Sequence, residues 1–323
     1  RWSVVVDEGT ENERTLIAAR AKELRRTPIV TGDFVDVVGD TSGAKDTLAR
    51  IVRLGERTSV LRRSADDTDP SERVVVANAQ QLVIVVAAAN PEPRTGFIDR
   101  AVVAAVDAGI EPILCITKTD VRYPQHLLDY YAASGLKIVL SASSDGLAPS
   151  QDGAQGLESA PVQELLQELL GEVSVLLGHS GVGKSTLVNA LTGSDRATGH
   201  VNAVTGRGRH TSSSALALRP VERDGRPVPA GTWIIDTPGI RSFGLAHVPR
   251  ETVVDAFVDL APGAADCPKG CTHAAQAPDC GIEAYVAAGK AGPSGPERLE
   301  SLRKLLLLTP EEGDSEKELG ALA

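Results

Sequence analysis

Residues 178–186 form a glycine-rich segment whose residue types suit the binding of phosphate. The pattern is Gly-x-x-x-x-Gly-Lys-Ser-Thr, and it lies between the apolar run Val173–Leu177 and a predicted helix. Glycines let backbone N–H groups surround phosphates, Lys184 can reach the β- and γ-phosphates, and the Ser185 hydroxyl can ligate Mg²⁺. The N-terminus of the helix adds its positive dipole. The predicted nucleotide-binding residues here are Gly178, His179, Ser180, Gly181, Val182, Gly183, Lys184, Ser185 and Thr186.

A carboxylate and a glycine that suit the same ligand follow downstream. The run Thr232–Ile235 predicts a buried strand, and Asp236-Thr-Pro-Gly239 comes directly after it. The Asp236 carboxylate can hold Mg²⁺ on the side opposite Ser185, and the Gly239 N–H can donate to a γ-phosphate. The sequence Asp-Thr-Pro-Gly by itself is typical of an ordinary turn. Downstream of a phosphate loop, the same sequence indicates a nucleoside triphosphate site.

A third element could select the base. Thr117-Lys118-Thr119-Asp120 follows the apolar run Pro112–Ile116 and resembles the Asn-Lys-x-Asp element of guanine-specific GTPases. Asp120 could accept hydrogen bonds from the guanine N1–H and exocyclic amine, whereas adenine has no N1–H. Lys118 would lie along the base and ribose. Thr117 stands where Asn is usual, which removes an amide from the site.

Ser141-Ala142 is a second base-reading candidate. It follows the predicted strand Lys137–Leu140 and resembles the loop that contacts guanine O6 through a backbone N–H. Both elements follow predicted strands, and together they favour GTP over ATP.

The cysteines indicate a metal site. Cys267, Cys271, His273 and Cys280 supply three thiolates and one imidazole within fourteen residues. This set completes a tetrahedral zinc site and leaves no open position for catalysis, so the predicted zinc is structural. The remaining Cys115 lies in an apolar run and is predicted to be a core residue.

The chain divides into three regions. Residues 1–63 contain short extended runs that suggest a small β-barrel or sandwich. The middle alternates strand and helix, which predicts a parallel sheet with helices on both faces. After about Leu245 the pattern is helical. The predicted N-terminal strands are Val4–Val6, Thr15–Ala18, Ile29–Val30, Phe34–Val38 and Ala49–Leu54.

Composition limits the function classes. The net charge of −10 and 3% aromatic content argue against a generally basic nucleic-acid coat protein. Residues 1–63 carry 12 Lys/Arg and 10 Asp/Glu, so they are slightly basic, and their arginine clusters either face solvent or contact nucleic acid. No apolar run reaches the roughly 18 residues of a membrane span. The sequence has no methionine and begins at Arg1, so we expect its natural start to be missing.

The order of the motifs differs from that of small GTPases, where the phosphate loop comes first. Here Thr117–Asp120 and Ser141-Ala142 precede Gly178–Ser185 and Asp236–Gly239. This circularly permuted order, between a β region and a Cys/His cluster, resembles the ribosome small-subunit-dependent GTPase A family over essentially the whole chain. The resemblance implies an N-terminal OB-fold (residues 1–65), a circularly permuted P-loop GTPase domain of α/β class (66–246) and a small α-helical zinc-binding domain (247–323).

The same resemblance extends to a switch segment. Arg207-Gly-Arg-His210-Thr211 is similar to the Gly-x-His-Thr-Thr segment of the family. Thr211 would then ligate Mg²⁺ together with Ser185 and Asp236, with Ser212 as the alternative.

Water activation is the open point of this site. Ile240 follows Gly239, where Ras-like enzymes carry a glutamine that orients the attacking water. His210 is a candidate for that role, and its alternative is a loop histidine that contacts only RNA or solvent. The implied catalytic residues are Lys184, His210 and Thr211.

The resemblance also implies partners and cofactors. It implies that the protein binds the bacterial 30S subunit and its 16S rRNA, and that nucleotide state controls association and release during late maturation. It also implies that GTP is hydrolysed to GDP and phosphate with Mg²⁺, and that one zinc ion is structural. We expect a cytoplasmic monomer with no membrane contact. Two other classes stay open: a nucleic-acid-binding module with a degenerate nucleotide site, and a P-loop ATPase or kinase with an unrelated zinc module.

Overall fold

The computed structural model describes residues 1–63, 73–142, 160–194, 215–222, 227–237 and 243–309. The strands are β1 (Trp2–Val6), β2 (Arg14–Arg20), β3 (Val35–Gly39), β4 (Ala49–Leu54), β5 (Val60–Arg63), β6 (Arg73–Ala77), β7 (Gln81–Ala87), β8 (Glu111–Thr117), β9 (Lys137–Leu140), β10 (Val173–Leu177), β11 (Leu216–Leu218) and β12 (Trp233–Asp236). The α-helices are α1 (Thr95–Asp107), α2 (Gln125–Tyr131), α3 (Ala160–Leu169), α4 (Lys184–Thr192), α5 (Arg250–Asp255), α6 (Gly281–Ala287) and α7 (Gly295–Leu306). Among them, none has both the length and the apolar character to span a membrane.

Strands β1 to β4 form a mixed N-terminal sheet in the order β1-β2-β4-β3. The β2–β4 pair is parallel, and the two outer pairs are antiparallel. Alternate residues point to one face of a strand, and Leu16, Ala18, Ala49 and Ile51 build a separate core on that face. The β-rich N-terminal region is thus present, and its identity as an OB-fold stays a prediction.

The predicted strand at Ile29–Val30 is wrong. The Ile29 carbonyl accepts a hydrogen bond from Trp2 Nε1 at 3.3 Å, and the Val30 N–H donates to Asp33 Oδ2 at 2.8 Å. Arg57 holds the Asp33 carboxylate in place with bonds of 2.7 and 2.9 Å. The side chains of Trp2 and Asp33 therefore occupy the backbone hydrogen-bonding groups that strand pairing would need.

The central sheet contains β7 to β12 in the order β11-β12-β10-β7-β8-β9. Strands β12, β10, β7, β8 and β9 run parallel, as the strand–helix alternation predicts. Strand β11 is antiparallel to β12, so the expectation of a wholly parallel sheet is corrected to a mixed one. With three residues, β11 is too short to carry a readable hydrophobic period.

Helices cover both faces of this sheet because its strands are apolar on both faces. On β7, Leu82, Ile84 and Val86 belong to the cluster that includes residues of α1 and α2. Val83 and Val85 belong to the opposite cluster, which includes residues of α3 and α4. The sheet thereby holds its strand ends, where the motifs lie, in fixed positions.

A short antiparallel pair, β5 and β6, connects the N-terminal and central sheets. Leu61 and Val76 from this pair lie in the same core cluster as α1. The predicted domain boundary at residue 65 lies outside the described residues, within the gap 64–72.

A buried arginine joins the C-terminal helices to the central domain. Arg298 on α7 donates to both oxygens of Asp259 at 2.9 Å and to Asp99 Oδ1 on α1 at 2.8 Å. The guanidinium also lies 4.5 Å from the Phe257 ring centroid. Its pKa is raised by the two carboxylates, while burial raises the pKa of Asp99. Val103 of α1 inserts into the C-terminal core nearby.

We expect Arg298→Ala to lower the free energy of unfolding by about 3–5 kcal/mol, because it leaves buried carboxylates without their guanidinium. Losing that cation would raise the pKa of Asp99 further, so the folded state would bind a proton more readily than the unfolded state. Stability is then lost as pH rises through the folded pKa, and the deficit is smaller at mildly acidic than at neutral pH. Urea denaturation at both pH values measures this. Lys304→Ala, which removes an exposed i,i+4 ion pair on α7, is the control; an equal effect of the two changes would contradict the assignment.

The turn after β1 contacts the central domain at the edge of its sheet that is formed by β11 and β12. Glu8 Oε1 accepts hydrogen bonds from Trp233 Nε1 and Gly231 N–H, both at 2.9 Å, and from Arg219 Nη2 at 3.1 Å. Arg219 also reaches Glu13 at 3.0 Å and lies 4.7 Å from the Trp233 ring centroid. The N-terminal sheet is thus attached beside strands β11 and β12.

Candidate nucleotide site and metal centre

The predicted nucleotide residues meet at one edge of the central sheet. The phosphate loop follows β10, Asp236 ends β12, Thr117 ends β8, and Ser141 follows β9. Because these strands are parallel, their carboxyl ends share one edge, which is where ligands bind in open α/β sheets. Residues far apart in the sequence are brought together in this way.

Two glycines allow the phosphate loop to take its path. At Gly178 a Cβ would lie 2.6 Å from the Val85 carbonyl oxygen, so only glycine fits. Gly183 has φ +92°, a left-handed conformation that favours glycine, and directly precedes α4. The loop therefore ends at a helix N-terminus, as the motif predicts.

The Lys184 ammonium is held across the loop by the end of β12. Its Nζ donates to Asp236 Oδ1 and to the Thr237 carbonyl at 2.9 Å. Thr237 Oγ1 in turn donates to the Leu176 carbonyl on β10 at 2.8 Å. The Lys184 ammonium and the Asp236 carboxylate, which the sequence predicts to act on the same nucleotide, are therefore in direct contact beside the phosphate loop.

The two base-reading elements also meet. The Thr119 N–H donates to the Ser141 carbonyl at 3.2 Å, and the Ser141 N–H donates to the Ile116 carbonyl at 2.8 Å. Ser141 is 2% exposed, and among the described residues its Oγ is a buried polar atom without a hydrogen-bond partner. Asp120 is exposed at the turn that follows Lys118, and Ala142 is half-buried.

Sequence reasoning missed one loop of this edge. Lys118 Nζ donates to the Asn90 carbonyl as well as to the Gly181 carbonyl, and Arg122 Nε donates to the Ala88 carbonyl at 2.9 Å. The loop after β7 therefore borders the site. Its signal was available, because the carboxyl end of a central parallel strand must lie at the ligand edge.

The cysteine cluster forms as predicted. The ligand atoms of Cys267, Cys271, His273 and Cys280 all lie within 4.8 Å of one another. His273 Nδ1 is 3.5 Å from Cys267 Sγ and 3.8 Å from Cys280 Sγ. Sulfur and nitrogen ligands of a tetrahedral zinc, at about 2.3 and 2.0 Å from the metal, lie about 3.5 Å apart. The donor set and its spacing thus fit zinc.

The surroundings of the cluster support the same reading. Burial lowers the pKa of His273, and Arg250 and Arg303 lower it further, so the imidazole is kept in the neutral form that binds metals. The Gly281 N–H donates to Cys267 Sγ at 3.2 Å, a contact that orients a ligand sulfur.

Three predicted site residues, His210, Thr211 and Gly239, lie outside the described residues. Of the predicted Mg²⁺ ligands, the structure describes Ser185 and Asp236. Both offer hard oxygen donors of the type Mg²⁺ takes, and Asp236 lies directly opposite Leu176 in the β10–β12 register. The donor chemistry of these two residues thus suits the ion.

Comparison with known proteins agrees with this geometry. The family model for the RsgA GTPase matches residues 54–246. Small ribosomal subunit biogenesis GTPase RsgA of Pseudomonas aeruginosa (strain LESB58) is 34% identical over 291 residues, covering 88% of this chain and 76% of the relative. The protein of the same name from Ectopseudomonas mendocina is 37% identical over 286 residues, with the same coverage.

Two solved structures share the fold. YjeQ from Thermotoga maritima aligns with a TM-score of 0.62 and 25% identity over 94% of each chain. YloQ, described as a circularly permuted GTPase, aligns with a TM-score of 0.64 and 20% identity over 96% of this chain and 92% of YloQ. The permuted motif order, the shared sheet and these relatives lead to one conclusion: the chain belongs to the RsgA GTPase family and is a GTP hydrolase.

Proposed function

We propose that this GTPase acts in biogenesis of the small ribosomal subunit, binding the 30S particle and leaving it after GTP hydrolysis. The main observation behind the proposal is that the phosphate loop, Asp236 and the base-reading loop contact one another at one edge of the central sheet. Relatives that span 88% of the chain are named for small-subunit biogenesis. The relatives' names supply the partner, and the geometry supports the hydrolysis.

The proposed binding of GTP uses this edge in three parts. Backbone N–H groups of residues 178–186 surround the phosphates, and Lys184 reaches the β- and γ-phosphates from its place beside Asp236. Asp120 accepts hydrogen bonds from the guanine edge. Ser141 lies next to the same ligand, and a bound nucleotide would give its buried hydroxyl a polar neighbour.

Hydrolysis needs charge to be neutralised at the γ-phosphate. Ser185 and Asp236, with Thr211 proposed as a further ligand, would hold Mg²⁺, which supplies that neutralisation when bound. Lys184 adds a fixed positive charge. His210 is the proposed group that positions water, because Ile240 has no hydrogen-bonding side chain.

The N-terminal sheet is the proposed contact with 16S rRNA. Arg20, Lys22, Arg25 and Arg26 are all exposed around the 3-10 turn at Lys22–Leu24. Phosphate contacts by such side chains supply sequence-independent affinity that falls with salt. This arrangement places a cationic surface on a molecule whose net charge is −10.

The test is GTP turnover with purified small subunits. We expect small subunits to increase the hydrolysis rate at least about tenfold, since a partner that completes the site lowers the barrier by more than about 1.4 kcal/mol. Isolated large subunits serve as the control. Pelleting assays should show tighter binding with a non-hydrolysable GTP analogue than with GDP. Equal rates with and without small subunits, or stimulation by large subunits alone, would contradict the proposal.

A further inference from the structure

A cavity of about 220 Å³ lies where the C-terminal helices meet the central domain. It is bordered by α1, by the first residues of β8 and β9, by the loop between α2 and β9, and by the segment that follows α5. Glu111 and Lys137 begin β8 and β9, whereas the nucleotide residues follow the carboxyl ends of the strands. The length of β8, about 20 Å, thus separates this junction cavity from the nucleotide edge.

The walls of the junction cavity are mainly apolar and partly open to solvent. Val258 is 58% exposed and Val106 is 36% exposed, and both line the cavity. A ligand that covers such side chains removes apolar area from water, which is favourable. An apolar cavity of about 150 Å³ holds benzene, so this larger one has room for a ring with a short chain. The other apolar lining residues include Val102, Leu136, Ala256 and Phe257.

The buried polar groups that line the junction cavity are paired with one another. Asp99 Oδ1 accepts hydrogen bonds from Arg298 and Tyr131, and Oδ2 accepts from Tyr130 and Ser301. The Arg298 guanidinium donates to two carboxylates. The part of a ligand that enters the cavity therefore needs no polar group to satisfy these residues, and its body is apolar.

The rim of the junction cavity carries more carboxylates than cations. Exposed Glu111 and Lys137 both line it, and Lys137 Nζ forms an ion pair with Glu168. The hydrogen bond to Glu168 raises the pKa of Lys137, and the charges of Glu168, Glu111 and Glu164 raise it as well. Three carboxylates thus act on one ammonium group. This excess of negative charge favours a cationic ligand and disfavours an anionic one.

We propose that the junction cavity binds a small organic cation, an ammonium group carried on a ring or short apolar chain about the size of phenethylamine. The apolar body fills the space between α1 and residues 256–258, and the ammonium group lies at the rim beside Glu111. RNA is a poor occupant, because its phosphates would meet the same carboxylates. A bound cation contacts both the central domain and the C-terminal region, and thereby stabilises their contact.

The test compares three probes that share a phenyl ring: phenethylamine is a cation, phenethyl alcohol is neutral, and phenylacetate is an anion. Binding is followed by shifts of backbone amide signals in protein saturated with GDP, which keeps the nucleotide site filled. We expect phenethylamine to shift the signals of Leu136 and Val258 with a Kd of about 1 mM or below. The alcohol should bind about two- to fivefold more weakly, the size of one exposed ion pair, and phenylacetate more weakly still.

Two substitutions separate the rim from the walls. Glu111→Gln removes the rim charge, so the amine and the alcohol should bind equally to within about twofold, with the affinity for the alcohol unchanged. Ala256→Leu adds three carbons at a position that lines the cavity, and it should weaken both probes at least about fivefold. Thermal unfolding checks that each variant is folded. Because Glu111 is exposed, its variant and the amide shifts decide the outcome even where Ala256→Leu does not fold.

Glu56→Gln is the matched control for net charge. Glu56 is exposed between β4 and β5, away from the cavity, and its variant should keep the wild-type preference for the amine.

The proposal is contradicted by the absence of amide shifts at about 10 mM phenethylamine, or by shifts centred away from the cavity. Equal affinities of the wild type for amine and alcohol, or a preference that Glu111→Gln leaves intact, would also overturn it. These results depend on neither GTP hydrolysis nor ribosomal subunits. They are therefore distinguishable from failure of the proposed ribosomal role, which is read from subunit-stimulated turnover.

Discussion

Replacement of Lys184 by alanine is expected to lower the rate of GTP hydrolysis by about 10²- to 10³-fold, the loss typical of removing one preorganised donor to developing charge. Lys184 Nζ lies between the phosphate loop and the end of β12, where Asp236 and the Thr237 carbonyl hold it. Its position is therefore set before the nucleotide arrives, and no other side chain on α4 carries a positive charge. Phosphate release in a single turnover, with enzyme and small subunits in excess over GTP, measures the effect.

The control for this change is Lys137→Ala. Lys137 also forms an ion pair, with Glu168, but it stands at the amino end of β9, away from the nucleotide edge. We expect its hydrolysis rate to stay near that of the wild type. A Lys184→Ala variant that retains more than about a third of the wild-type rate would show that the loop does not act on the phosphates as proposed.

Removal of zinc is expected to unfold the segment that contains the cysteine cluster while the central sheet stays folded. Structural zinc contributes about 10–16 kcal/mol of apparent binding energy in small zinc modules, and that energy is coupled to folding. Here the four ligands come from a stretch with little regular structure, between a 3-10 turn at Ala261–Asp266 and α6. Amide hydrogen exchange with and without a strong chelator should show lost protection confined to the region around residues 261–309.

Metal content gives the matching control. Cys280→Ser is expected to lose the zinc that elemental analysis finds in the wild type. Cys115→Ala should retain it, because Cys115 is fully buried in β8, where burial raises the pKa of its thiol to about 12. Purified wild type without zinc, or unchanged amide protection after chelation, would contradict a structural metal.

Much of the central fold was predictable because its strands carry an unambiguous signal. β7 and β8 are continuous apolar runs, and such runs in alternation with helices specify a parallel sheet with both faces covered. The prediction of a strand at Ile29–Val30 was wrong because of tertiary contacts. Its backbone groups are taken by the side chains of Trp2 and Asp33, and pairings of that kind depend on tertiary contacts that no local pattern contains.

The candidate site was predictable to the extent that its chemistry lies in contiguous motifs. The phosphate loop and the Cys/His cluster each contain enough fixed positions to specify their geometry. The contact of Thr117 with the phosphate loop was not predictable, because the replacement of asparagine by threonine indicates only the loss of an amide. Only the fold shows that Val182, distant in the sequence, lies within hydrogen-bond distance of its hydroxyl.

The buried Arg298 also determines which parts of the molecule behave as one body. Asp99 and Arg298 are both at most 3% exposed, whereas the Glu8 and Arg219 side chains are 31% and 37% exposed. Dissolved ions screen exposed charges and leave buried pairs nearly unaffected. A displacement of α1 would therefore carry α7 and the cysteine cluster with it at any ionic strength. The N-terminal sheet is attached by exposed ion pairs, which salt weakens, and by neutral contacts such as the hydrogen bond from Thr31 Oγ1 to the Ala215 carbonyl at 2.7 Å, so we expect salt to loosen its attachment only in part.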